Sequence, residues 1–123
     1  KGLETIEDQI NVFEEIPYHV QAKMFKKALL SIDESHEQMQ QLVALYKQQN
    51  INALHKDVKG DTDLGKYENN LLNKRNKNWI SIIENEVNNS ATFFAVGAGH
   101  LAGKKGVISL LRKKGYKVTA VIL

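Results

Sequence analysis

With 123 residues, 42% of them apolar and 25% charged, the chain can bury one hydrophobic core, and its proportions are those of a globular domain, not a disordered tract or a fibrous repeat. Having no cysteine, it offers no disulfide framework, thiolate metal site or cysteine nucleophile, and its compartment stays open. The net charge of +3 is spread among acids except over Lys104, Lys105, Arg112, Lys113 and Lys114. Without interleaved aromatics that cluster reads as a solvated helix face, so no nucleic-acid partner is expected.

Taken in chain order, Thr5 and Asp8 have the spacing of a capping box with Asp in place of Glu, and Ile6, Ile10 and Phe13 share one helical face, which predicts a first helix over 6–15. The first eight residues lack the apolar core of a signal peptide, and no apolar run approaches the roughly 20 residues of a membrane span. A start at Lys1, not Met, reads as a piece of a longer protein. Pro17, the single proline, marks a break. Beyond it Phe25, Leu29, Ile32, Met39, Val43 and Tyr46 recur at spacings of three, four and seven. They predict one amphipathic helix over 18–49, or two with a break near 31–35. A short helix over 51–58 ends at the Lys59-Gly60-Asp61 turn signal. Thr62 or Asp63 can cap another, running through Leu64, Tyr67, Leu71, Leu72, Trp79, Ile82, Ile83 and Val87 to Asn88-Asn89.

From Ala91 the character changes. Thr92-Phe93-Phe94-Ala95-Val96 is rich in β-formers and bounded by Ser90 and Gly97, which predicts a strand buried on both faces. Lys104 to Lys114 is helical by pattern, with Val107, Leu110 and Leu111 inward and Gly115 at the C′ position. Val118, Ala120 and Ile122 then alternate as in a second strand. The expected fold is therefore α/β: a single domain over 1–123, mainly helical over 1–89 and packed on a right-handed parallel βαβ unit over 90–123. That unit would complete a larger sheet with strands upstream of Lys1.

The chemistry concentrates in Val96-Gly97-Ala98-Gly99-His100-Leu101, a glycine-rich turn after the expected strand, where open α/β sheets bind ligands. Gly97 and Gly99 permit positive φ and close approach to a ligand, and a neutral imidazole at His100 can hold a metal or move a proton. An ordinary turn with a surface histidine is the competing reading. A phosphate cradle is disfavoured: counting back from Gly103-Lys104 puts Ala98 where the first Walker glycine belongs, and Lys105 where Ser or Thr should stand. His19, His36 and His55 lack zincin spacing and read as surface or boundary residues, and Trp79 and Tyr67 as packing residues.

This loop, followed by Gly103, a basic amphipathic helix, Leu110-Leu111-Arg112 and Gly115-Tyr116, resembles the C-terminal signature of the TraB/GumN/Tiki (TraB/PrgY/GumN) family. Gly2-Leu3-Glu4-Thr5-Ile6-Glu7-Asp8-Gln9 and Asn73-Lys74-Arg75-Asn76 resemble two further blocks, so that the likeness brackets nearly the whole chain. It implies a metal-dependent, peptidase-like hydrolase whose site combines two Gly-x-x-His motifs, an acidic residue and an arginine. Carried over by position, His100 is a metal ligand, Glu4 a ligand or general base, Arg75 an electrostatic stabiliser and Asn76 an orienting group, with Gly97 and Gly99 lining the bound metal. Glu4 can also be read as a first-turn acid favoured by the helix dipole, and Arg75 and Asn76 as exposed polar positions.

The implied cofactor is a divalent metal, Mn, Co or Zn, and the implied partner a peptide or protein substrate. This chain has one Gly-x-x-His, so the expectation is a part-site, inactive alone, from a bacterial parent; the compartment stays open, with export (periplasmic, lipoprotein or extracellular) one option that the resemblance allows. A homodimer covering the unfinished sheet edge is also expected. The alternative from another class is a non-catalytic peptide- or signal-binding or inhibitory domain.

Overall fold

The computed structural model describes residues 1–60 and 65–121, with 33, 35 and 58–60 given by backbone alone. The capping box is formed: the Asp8 N–H donates to Thr5 Oγ1 at 3.1 Å and the Thr5 N–H to Asp8 Oδ2 at 3.0 Å. It opens α1 (Ile6–Glu14). Pro17, with φ −54°, sets off α2 (Tyr18–Leu30). The long amphipathic pattern is divided at Ser31, whose φ of −124° and ψ of 43° leave the helical region before α3 (Ile32–Lys47) begins. Asn50 accepts the Ala53 N–H on its side chain at 3.1 Å and starts α4, which runs Ile51–Gly60, past the turn expected at Lys59.

A π-helical turn, Asn69–Asn73, leads without interruption into α5 (Lys74–Asn89); the caps expected at Thr62 or Asp63, with Leu64, lie outside the described residues. Gly97 opens a 3-10 turn over Ala98–His100. Helix α6 is Val107–Lys113, which contains the expected apolar face but starts about one turn later than the expected Lys104. Gly106 explains the late start, because a Cβ there would come within 2.1 Å of the Ala102 carbonyl oxygen. Gly115, with φ +92°, terminates α6 in the left-handed conformation expected of it.

The α/β expectation is corrected: the described residues are helical with no strand, so neither the βαβ unit nor a sheet edge is present. Residues 91–97 and 116–121 run irregularly, and no backbone hydrogen bond joins them. The tail is tied to α6 by the Tyr116 N–H donating to the Leu111 carbonyl at 3.1 Å and by Arg112 Nη2 donating to the Val118 carbonyl at 2.7 Å. High β propensity describes how a side chain fits a pleated surface that already exists, and a strand without a ladder partner forms none of it. Phe94 and Val96 do face the core, but Phe93 is 90% exposed, so this run is buried on one side only.

The core is built on α5. Asn76, Trp79, Ile80 and Ile83 recur at i, i+3, i+4 and i+7 and form its buried stripe. Val107 of α6 completes the cluster, with Leu3, Phe94, Val96, Leu110 and Leu111 around it. At roughly 1.5–3 kcal/mol for each large side chain fully removed from water, this cluster is the main source of stability. The stripe of α2 and α3 is by contrast exposed: Tyr18, Phe25, Leu29, Ile32, Met39, Val43 and Tyr46 all face solvent. Periodicity identified those helices correctly but does not say which apolar face finds a partner.

Candidate functional site

The α5 stripe carries one polar member, Asn76, and it is 1% exposed. Its amide nitrogen donates to two carbonyls, of His100 at 3.3 Å and Lys105 at 3.0 Å, which orients the amide. The amide oxygen is thereby left as an acceptor, and it lies 2.6 Å from His100 Nδ1. That nitrogen must be the donor, so His100 carries its proton on Nδ1 and keeps the lone pair on Nε2. The histidine itself is set by the 3-10 turn, in which its N–H donates to the Gly97 carbonyl at 2.9 Å.

Immediately before Asn76 on the same helix, Arg75 grips Glu4 with a two-pronged contact, Nε to Oε2 at 3.0 Å and Nη2 to Oε1. Its Nη1 donates to the Leu71 carbonyl in the π-helical turn at 2.9 Å. Glu4 stands immediately before the Thr5 N-cap, so the capping box that starts α1 also fixes the chain segment presenting the carboxylate. Trp79 joins the two halves. Its indole N–H donates to Glu4 Oε2 at 3.1 Å, its ring centroid is 4.5 Å from that of His100, and the Arg75 guanidinium carbon lies 5.2 Å over the indole.

Burial is the main reason the His100 imidazole is pulled down to about 4; the Arg75 charge adds to the effect and the Glu4 carboxylate opposes it. The ring is neutral at pH 7. The Arg75 hydrogen bonds hold Glu4 below the usual carboxylate range, against the opposing effect of burial, with further help from the Arg75 charge and the Trp79 N–H. A carboxylate held in this way is a counter-charge and a poor base.

Glu4, Arg75, Asn76 and His100, distributed over residues 4 to 100 of the sequence, thus meet in one place. Glu4, Arg75, Trp79 and His100 line an open cleft of about 460 Å³ with Gly97, Phe94 and Val96. A second cleft of about 590 Å³, toward α1, shares the Glu4–Arg75–Trp79 wall. Gly97 and Gly99 do not use positive φ, which falls instead at Gly103 and Gly115. A Cβ at Gly97 would stand 3.7 Å from His100 Cδ2, and one at Gly99 would meet nothing within 4 Å. Of the histidines set aside, His19 and His36 are exposed, while His55 is half-buried against Gly103. Trp79 is the member that sequence reasoning assigned to packing alone. Its signal was its spacing, four residues after Arg75 and three after Asn76, which puts all three within one turn of helix.

A divalent metal finds one fitting ligand here. His100 Nε2 has the orientation that an anchored Nδ1–H gives a ligating histidine. The Glu4 oxygens, however, already accept three N–H groups, and no cluster of three His, Asp or Glu side chains among the described residues can hold a metal ion. The residues present therefore do not make a coordination sphere by themselves.

No solved structure matches the chain. A protein named "Metalloprotease TIKI homolog" from Amphimedon queenslandica is 39% identical over 46 residues, 37% of this chain and 9% of the relative's own length. The chain thus corresponds to a small part of that relative. Among protein families, the model of the TraB/PrgY/gumN family matches residues 1–120, nearly the entire chain, and the chain belongs to that family.

Proposed function

We propose that this chain supplies one wall of a TraB-type hydrolase site, with His100 Nε2 as its reactive nitrogen and Arg75 as the group that stabilises negative charge on the substrate. The observation that carries the reading is the Asn76–His100 hydrogen bond. It commits the imidazole to a tautomer whose Nε2 lone pair lies on the ring edge away from Asn76, in a residue lining the cleft. Kept neutral by burial, that nitrogen presents its lone pair at neutral pH as a ligand or hydrogen-bond acceptor, while its lowered pKa makes it a weak base. Arg75 has five N–H groups, of which three are committed to Glu4 and Leu71, so two remain to bind an oxygen that gains charge. Glu4 orients the guanidinium and balances its charge.

Metal dependence and a peptide substrate are supported by the name of the distant relative and by the single well-prepared imidazole. Because the present side chains do not complete a metal site, no step of the reading is routed through a metal. The test is calorimetric titration of the protein with Mn²⁺, Co²⁺ and Zn²⁺ beside His100→Ala. Weak, saturable binding through the single imidazole that is lost in the variant, with the helical circular dichroism retained, is the expected outcome; metal uptake equal in both proteins refutes His100 as a ligand. A non-catalytic peptide- or signal-binding domain is the second reading, favoured by the exposed apolar side chains of α2 and α3.

A further inference from the structure

Trp79 is the one tryptophan of the chain and is 4% exposed, so its first role is to fill the core beneath α6. Core filling, however, needs no hydrogen bond to a carboxylate and no stacking on an imidazole. The indole has one N–H, and it is committed to Glu4 Oε2, the oxygen that also receives Arg75 Nε. A carboxylate gripped by arginine from one side alone can slide along the guanidinium fork. A second donor from another direction fixes its plane and, through it, the direction in which the remaining guanidinium N–H groups point. The ring meanwhile covers His100, with the two planes inclined at 38°.

We propose that Trp79 is the positioning residue of the site: its N–H fixes the Glu4–Arg75 pair and its ring fixes the His100 imidazole, so that both halves are held by one side chain. The inference rests on reading those three residues as the site, and its test is on geometry, so that the two can fail separately. Its two halves are separable by substitution. Phenylalanine keeps a ring over His100 and removes the donor, whereas leucine removes both.

The experiment is nuclear magnetic resonance on the wild type, Trp79→Phe, Trp79→Leu and Glu4→Gln, with folding monitored by circular dichroism. In Trp79→Phe the Arg75 Nε–H should exchange with water on the order of tenfold faster, the weight of one hydrogen bond to a charged group, while the His100 backbone N–H keeps its protection. In Trp79→Leu both should exchange faster. Because the chain has one indole, its resonance is assigned without ambiguity, and Glu4→Gln should move that resonance upfield and speed its exchange. If Arg75 Nε–H exchange is unchanged in Trp79→Phe, or the indole signal is unmoved in Glu4→Gln, Trp79 is a packing residue and the proposal is overturned. Zinc binding measured on the same samples separates the readings: exchange changes as stated with no metal uptake by any form leave Trp79 as positioning residue and remove the metal site.

Discussion

At His100 a single side chain links stability to pH. Its folded value of about 4 lies well below the ordinary 6.5, so the unfolded chain binds a proton that the folded chain refuses, and stability rises with pH through that interval. The stabilisation is fully present above about pH 6.5 and is lost as the pH falls toward 4; at about 1.4 kcal/mol per unit the difference is on the order of 3 kcal/mol. Glu4, also lowered, adds a loss of the same sign at the acid end. Urea unfolding at pH 7, 5.5 and 4.5 checks this, and His100→Gln should flatten most of the slope between pH 6.5 and 4. Asn76 carries the other residue-scale prediction. Replacing it by alanine orphans the buried His100 Nδ1–H and His100 carbonyl and releases the part-buried Lys105 carbonyl, and should cost about 2–4 kcal/mol. A loss below about 1 kcal/mol by chemical denaturation would show that the network is dispensable.

Among the elements, the turn between the 3-10 segment and α6 is set by Gly103. Its φ of +85° is strained for any residue with a side chain, and a Cβ there would lie 2.5 Å from His55 Nε2 of α4. Gly103→Ala should therefore displace His55 and destabilise by about 1–2 kcal/mol from the backbone alone, measured by urea unfolding; a change within about 0.5 kcal/mol would contradict this packing. Several helix boundaries were legible in the sequence because they carry a start or stop residue, the Thr5–Asp8 box, Pro17 and Gly115, whereas the break at Ser31 has no side-chain cap to announce it. The two strands were not. Thr92–Val96 and 116–121 have strand composition, but pairing is a property of two segments together, and nothing in one segment's alternation reports whether its partner exists. The four residues that the resemblance selects, Glu4, Arg75, Asn76 and His100, lie side by side in the structure, a proximity that no local pattern in the sequence encodes. The role of Trp79 needed coordinates, since spacing alone cannot distinguish an indole that packs from one that donates.

For the whole molecule, the distribution of apolar surface is uneven. One cluster under α5 and α6 is buried, while α1, α2 and α3 leave Ile6, Phe13, Phe25 and Leu30 among many large side chains in solvent, a surface of the kind that marks interaction sites. The site lies on the buried side, where α5 meets the N-terminal segment and the Gly97–His100 turn. Through Asn76 this fold commits His100 to one tautomer, with the Nε2 lone pair left for a ligand. The long-range ¹H–¹⁵N spectrum of the His100 imidazole at pH 7, before and after zinc is added, reads that tautomer. A protonated Nδ1 and a bare Nε2 whose resonance moves on adding zinc are expected. A proton on Nε2, or an Nε2 signal indifferent to the metal, would contradict that assignment.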